Sequence, residues 1–166
     1  MKEPNTNRYR KYNPLTLYVH FPWCIKKCPY CDFNSHQLTS KGVPEADYVS
    51  ALMQDLKKSQ ELINGRTVEH IFLGGGTPSL FSADAILKIF DFIFSLVKVD
   101  ARAEITMEVN PGSLDINKVK EFRNAGVNRL SIGVQSFNNR HLRTLGRTHS
   151  AENAQLAVET AKKYFD

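Results

Sequence analysis

Four times along this 166-residue chain a short β-forming run is followed by a helical pattern. "LTLYVH", residues 15 to 20, alternates and is rich in β-formers. The spacing of Ala46, Val49, Leu52, Met53, Leu56 and Ile63 then predicts a helix from about Glu45. "EHIFLGGG" reads as a strand ending in glycines, and Ser82 is the expected N-cap of a helix carrying Ile86, Leu87, Phe90, Ile93, Phe94 and Val97. "AEITMEVNPGS" reads as a third strand broken by Pro111 and Gly112, followed by a helix from about Asp115 to Ala125 that Gly126 ends. "NRLSIGVQS" is the expected fourth strand. A short helix near Asn139 to Leu145 and a last one, capped by Ser150 and running to about Tyr164, follow it. Such alternation predicts an α/β fold with a parallel sheet and right-handed crossovers, open or curled into a barrel.

A content of 42% hydrophobic and 23% charged residues suits one well-buried domain. No window reaches the roughly 18 unbroken apolar residues of a membrane span, and "MKEPNTNRYRKYN" has no apolar core for a secretory signal, so a cytoplasmic location is expected. The formal net charge is +5, carried by short groups such as Arg8 with Arg10 and Lys11, Lys26 with Lys27, Lys57 with Lys58, and Arg140, Arg143 and Arg147. That pattern reads as a mildly positive solvated surface. It contains no nucleic-acid module, so no nucleic-acid partner is expected.

On the strand-helix scheme the unusual residues fall at one rim. The cysteines follow strand one, Gly74, Gly75 and Gly76 follow strand two, Glu108 and Asn110 end strand three, and Gln135 ends strand four. In parallel α/β folds ligands bind outside the carboxyl ends of the strands, so one site built from four loops is expected. Cys24, Cys28 and Cys31 are the only cysteines and are spaced C-x3-C-x2-C. An odd number of crowded thiols in a reducing compartment argues for metal ligation or redox chemistry over disulfides. Three thiolates in one loop can hold three irons of a cubane and leave the fourth open, and the spacing directly after a strand favours that reading. The rival is zinc, with His20 or His36 completing a Cys3His set.

"LYVHFPWCIKKCPYCDF", "GGGTPS", "MEVNP", "GVQSF" and the later Arg147 resemble, in order and spacing, the radical S-adenosylmethionine family, within it the coproporphyrinogen III oxidase-like branch. The resemblance runs from about Pro14 to the chain end and implies a partial parallel (β/α) barrel with about four strand-helix units present. Residues 1–13 are then an N-terminal tail, and 14–166 the first part of the radical core, stopping before a fifth strand. The oxidases carry a further cysteine where this chain has Phe33, so the likeness leans to the heme chaperones of that branch. It implies a [4Fe-4S] cluster on Cys24, Cys28 and Cys31, with S-adenosyl-L-methionine chelated at the open iron and cleaved there by an electron from the reduced cluster. Heme or porphyrin as ligand, a heme-acceptor protein and an electron donor are the implied partners. The first alternative is a radical oxidoreductase of the oxidase type.

By the same matching, Tyr18 lies where the family contacts the cofactor beside the cluster, and Tyr30 where it packs against adenine. Gly74, Gly75, Gly76 and Thr77 would let backbone approach the cofactor's methionine end. Glu108 and Gln135 match positions that contact its polar atoms, and Arg147 the place of an arginine facing a carboxylate. No catalytic residue is assigned. His20, His36, His70, His141 and His149 read singly as packed or solvated side chains, and none is identified as a heme ligand.

Overall fold

The computed structural model describes residues 14–165. The expected N-terminal tail, with Arg8, Arg10 and Lys11, and the final Asp166 lie outside the described residues. Among those described, β1 (Leu15–Phe21) leads through two very short strands, β2 (Trp23–Cys24) and β3 (His36–Gln37), to α1 (Glu45–Ile63). Then come β4 (Val68–Gly75), α2 (Ala83–Leu96), β5 (Val99–Val109), α3 (Ile116–Asn124), β6 (Arg129–Ile132), α4 (Asn139–Thr144) and α5 (Ala151–Ala161). All four expected strand-helix units are present. β1, β4, β5 and β6 form one sheet in that order, and every pairing is parallel. The sequence pattern did not announce β2 and β3, which pair with each other to frame the cysteine loop.

Strand parity divides the sheet into two faces. Val19 and Phe21, Ile71 and Leu73, Ile105, Met107 and Val109 are buried against the helices. Their partners there include Ile86, Ile89, Phe90, Ile93, Val119 and Phe122. Each such side chain contributes about 1.5–3 kcal/mol by leaving water. The alternate residues, Tyr18 and His20, Phe72 and Gly74, Glu108 and Ser131, share the opposite face. Because all strands run the same way, Phe21, Gly75, Val109 and Ile132 end at one rim, where the cysteine loop also lies.

The helix starts follow their capping residues. Ser82 accepts the Ala85 N–H, Asp115 accepts those of Asn117 and Lys118, and Ser150 forms a reciprocal box with Asn153. Three sequence expectations need correction. The fourth strand stops at Ile132: Gly133 N–H still reaches the Val109 carbonyl, but Val134 and Ser136 then bond back two residues and Gln135 takes φ 66°, which no strand tolerates. The last helix ends at Ala161 and closes in turns at Lys162 to Tyr164. Leu87 and Phe94 on α2 are exposed, since that helix buries only the narrower stripe of Ala85, Ile86, Ile89, Phe90 and Ile93.

Candidate functional site

The loop from Phe21 to Asn34 is fixed at both ends before any ligand is considered. At its base Phe21, Trp23, Tyr48 and Phe81 form an aromatic cluster, with Trp23 edge-on to Tyr48 at 4.7 Å and Phe21 edge-on to Phe81 at 4.8 Å. At its far end His20 Nε2–H donates to the Asn34 carbonyl at 2.8 Å. A carbonyl only accepts, so this bond sets the tautomer, and Nδ1 accepts the Tyr18 O–H at 2.9 Å. His20 therefore has neither nitrogen free, and His36 is exposed on β3, so the structure does not bring a Cys3His zinc set together.

The glycine run after β4 serves this loop. Gly76 N–H donates to the Phe21 carbonyl at 2.6 Å and Thr77 N–H to that of Trp23 at 2.7 Å. A Cβ on Gly76 would stand 2.5 Å from the Trp23 oxygen, and one on Gly75, at φ 110°, would stand 2.5 Å from the His20 ring. Gly75 N–H donates to Glu108 Oε2 at 3.0 Å. The glycines thus let two backbones meet and seat a carboxylate, at the place where approach by a cofactor is expected.

A cavity of about 270 Å³ opens at the rim. Cys24, Cys28, Cys31 and Tyr30 line it from the first loop, and Gly75, Gly76 and Thr77 from the second. Glu108, Gln135 and Arg147 complete the wall from the later segments. Two expected residues stand apart. Gly74 lies just outside, against the Phe72 ring, where a side chain would strike both Phe72 and Glu108. Tyr18 is 52% exposed, stacked near Phe72, and reaches the site only through His20. Burial first and the Glu108 charge second raise its hydroxyl above the ordinary value.

Each sulfur has a polar neighbour. Thr77 O–H donates to Cys24 Sγ at 3.6 Å, Ser35 Oγ lies 3.7 Å from Cys31 Sγ, and Arg147 Nη1–H donates to Cys28 Sγ at 3.4 Å. Donors of this kind suit thiolates, the ligand form of cysteine. No group of three or more His, Cys, Asp or Glu among the described residues is gathered to hold one metal ion. Cubane thiolates bind one to each iron and stand further apart than ligands sharing one zinc at about 2.3 Å. The half-buried thiols, their donors and the cavity beside them fit an anionic iron-sulfur group.

Three neighbours were not among the expected site residues: Ser35, 2% exposed beside Cys31; Phe33, read only as a departure from the oxidases, 59% exposed yet on the cavity wall; and His149, read as packed or solvated, 5% exposed. "GRTHS" carries the only local hint of the last. His149 Nε2–H donates to the Val134 carbonyl at 3.1 Å, and its buried Nδ1 has no partner among the described residues. Burial, then the Arg147 charge, holds its pKa below the ordinary value, against an upward pull from the Val134 carbonyl. The unfolded chain thus takes up a proton that the folded chain refuses. His149 therefore contributes stability fully above about pH 6.5 and loses it as pH falls towards its lower folded value. Urea midpoints at about pH 7.5 and about pH 5.5 should differ more in the wild type than in His149→Gln; equal differences would remove His149 from the acid response.

The description "Radical SAM superfamily" matches residues 18–166 of this chain. The heme chaperone HemW of Escherichia coli is 48% identical over 151 residues, covering 91% of this chain and 40% of HemW. The mitochondrial radical S-adenosyl methionine domain-containing protein 1 of Bos taurus is 40% identical over 149 residues, covering 90% and 33%. The chain therefore spans well under half the length of these relatives. Among solved structures, the coproporphyrinogen III oxidase HemN of Escherichia coli, a radical SAM enzyme, superposes with a TM-score of 0.82 at 32% identity. That superposition covers 92% of this chain and 35% of HemN. No helix among the described residues is long and apolar enough to cross a membrane.

Proposed function

This chain belongs to the radical S-adenosylmethionine superfamily, and from that premise we propose that it forms the cluster-bearing part of a heme chaperone-like protein of the cytoplasm. The observation that carries the reading is one cavity at the strand ends that gathers three thiols, a carboxylate, an amide and a guanidinium. In this reading Cys24, Cys28 and Cys31 hold a [4Fe-4S] cluster, and S-adenosyl-L-methionine binds beside it. When bound, the cluster supplies the electron that cleaves the cofactor's sulfonium bond. Glu108 is oriented by Gly75 N–H through one oxygen, and its other oxygen has no partner among the described residues, which leaves it to receive the cofactor's ammonium. Gln135, held at positive φ, offers an amide to the cofactor's polar atoms, and Tyr30 offers an aromatic face for adenine.

Heme or a porphyrin is the cargo in this reading, passed to an acceptor protein, with a low-potential donor reducing the cluster. The names of the HemW relatives and Phe33 support it. Phenylalanine at the cavity wall can pack against a ligand but can neither ligate iron nor donate a hydrogen. The likeness to HemN favours a second reading, oxidation of a porphyrinogen. An anaerobic assay of the full-length protein separates them. Heme titration should show binding, while coproporphyrinogen with reductant and cofactor should release no carbon dioxide and form no vinyl product. Turnover without heme binding would replace the chaperone reading with the enzymatic one.

A further inference from the structure

We propose that Arg147 is an outer-sphere partner of the cluster, a fixed cation that donates an N–H to the Cys28 sulfur and favours the cluster's reduced state. This rests on the reading that the three cysteines carry a [4Fe-4S] group. The guanidinium is held by its neighbours: Nη2–H donates to the Gly133 carbonyl at 2.7 Å, and Nη1–H reaches Cys28 Sγ at 3.4 Å and the Tyr30 hydroxyl oxygen at 3.5 Å. Two residues on, His149 grips the adjacent Val134 carbonyl, so the segment after β6 is tied to the arginine's own segment at both Gly133 and Val134. A planar fork anchored in this way has little freedom to turn elsewhere.

The electrostatics then pose a question. The one ion pair among the described residues joins Arg129 and Glu104, so no carboxylate there neutralises Arg147. Its Nε is shielded from solvent and has no partner. Among the described residues, the nearest group that can become anionic is the sulfur it touches, and a partly shielded pair of this kind interacts more strongly than an exposed one. Cys24 and Cys31 meet only neutral hydroxyls, so Cys28 alone has a cationic donor.

The direction of the effect follows from charge. Reduction adds one electron to the cluster, and a cation against a ligand sulfur stabilises the more negative state by more than the less negative one.

The test uses the full-length protein, reconstituted anaerobically and titrated with dithionite under spin-resonance detection, without S-adenosylmethionine. Arg147→Met should keep its iron and show a more negative potential than wild type, with Arg147→Lys lying between them. Equal potentials in all three would overturn the proposal, and a loss of S-adenosylmethionine affinity alone would return Arg147 to the cofactor. If Arg147→Met holds no iron, resonance Raman spectra of Arg147→Lys decide: a higher iron-thiolate stretching frequency supports the sulfur hydrogen bond, and an unchanged one sinks it. A wild-type protein without iron would instead remove the cluster reading, and this proposal with it.

Discussion

Alanine at any one of Cys24, Cys28 or Cys31 should abolish the brown absorbance of the anaerobically reconstituted protein and take its iron from about four atoms per chain to nearly none. The chain has only these three cysteines, so no spare thiolate exists to replace a lost one. The loss should not come from unfolding. All three are only half-buried on a loop whose base is held by the Phe21, Trp23, Tyr48 and Phe81 rings and whose end is tied by His20 to Asn34. Unfolding free energies of the metal-free variants should therefore match that of metal-free wild type within about 0.5 kcal/mol. A single variant that kept four irons would require another ligand and would refute the assignment.

Gly76→Ala should be the most damaging single methyl group added to the rim. The new carbon would stand 2.5 Å from the Trp23 oxygen and 2.7 Å from the Phe21 oxygen, and both neighbours are backbone. No side chain can swing aside to make room. A cost of about 1–3 kcal/mol, the usual range for forced overpacking, should appear in the urea midpoint. Because Trp23 immediately precedes Cys24, iron retention should fall as well. Gly112→Ala is the control: its nearest atom would be 3.5 Å away, an ordinary contact, and the variant should match wild type. Equal effects from the two substitutions would mean that the loop yields easily and that Gly76 is not needed for its position.

The order of strands and helices was legible because each is written locally. Period-2 and helical spacing mark the elements, and Ser82, Asp115 and Ser150 begin helices through bonds to residues two or three ahead. The cysteine spacing and the converging strand ends were readable for the same reason. The end of β6 was not: Val134 continues a β-like pattern, but Val134 and Ser136 bond back two residues, Gln135 takes a positive φ, and Arg147 and His149 take the Gly133 and Val134 carbonyls. His20 looked like a candidate ligand, because its partner Asn34 is 14 residues away. The glycines announced a close approach, expected of a cofactor, and the structure adds the Phe21 and Trp23 carbonyls, which no local pattern points to. Residue type sets the local geometry, but partners drawn from distant segments decide which atom fills it.

The contact between Arg147 and Cys28 joins residues 119 apart in the sequence. During synthesis the cysteine loop leaves the ribosome long before its arginine exists. Closing so long a loop requires the intervening strands to pair first, because its entropy cost is met only when they dock. The thiols of a nascent chain are therefore solvent-facing and uncapped until the strands between them and Arg147 have paired. A cofactor delivered early would meet three bare cysteines; one delivered late would meet a closed and charged pocket.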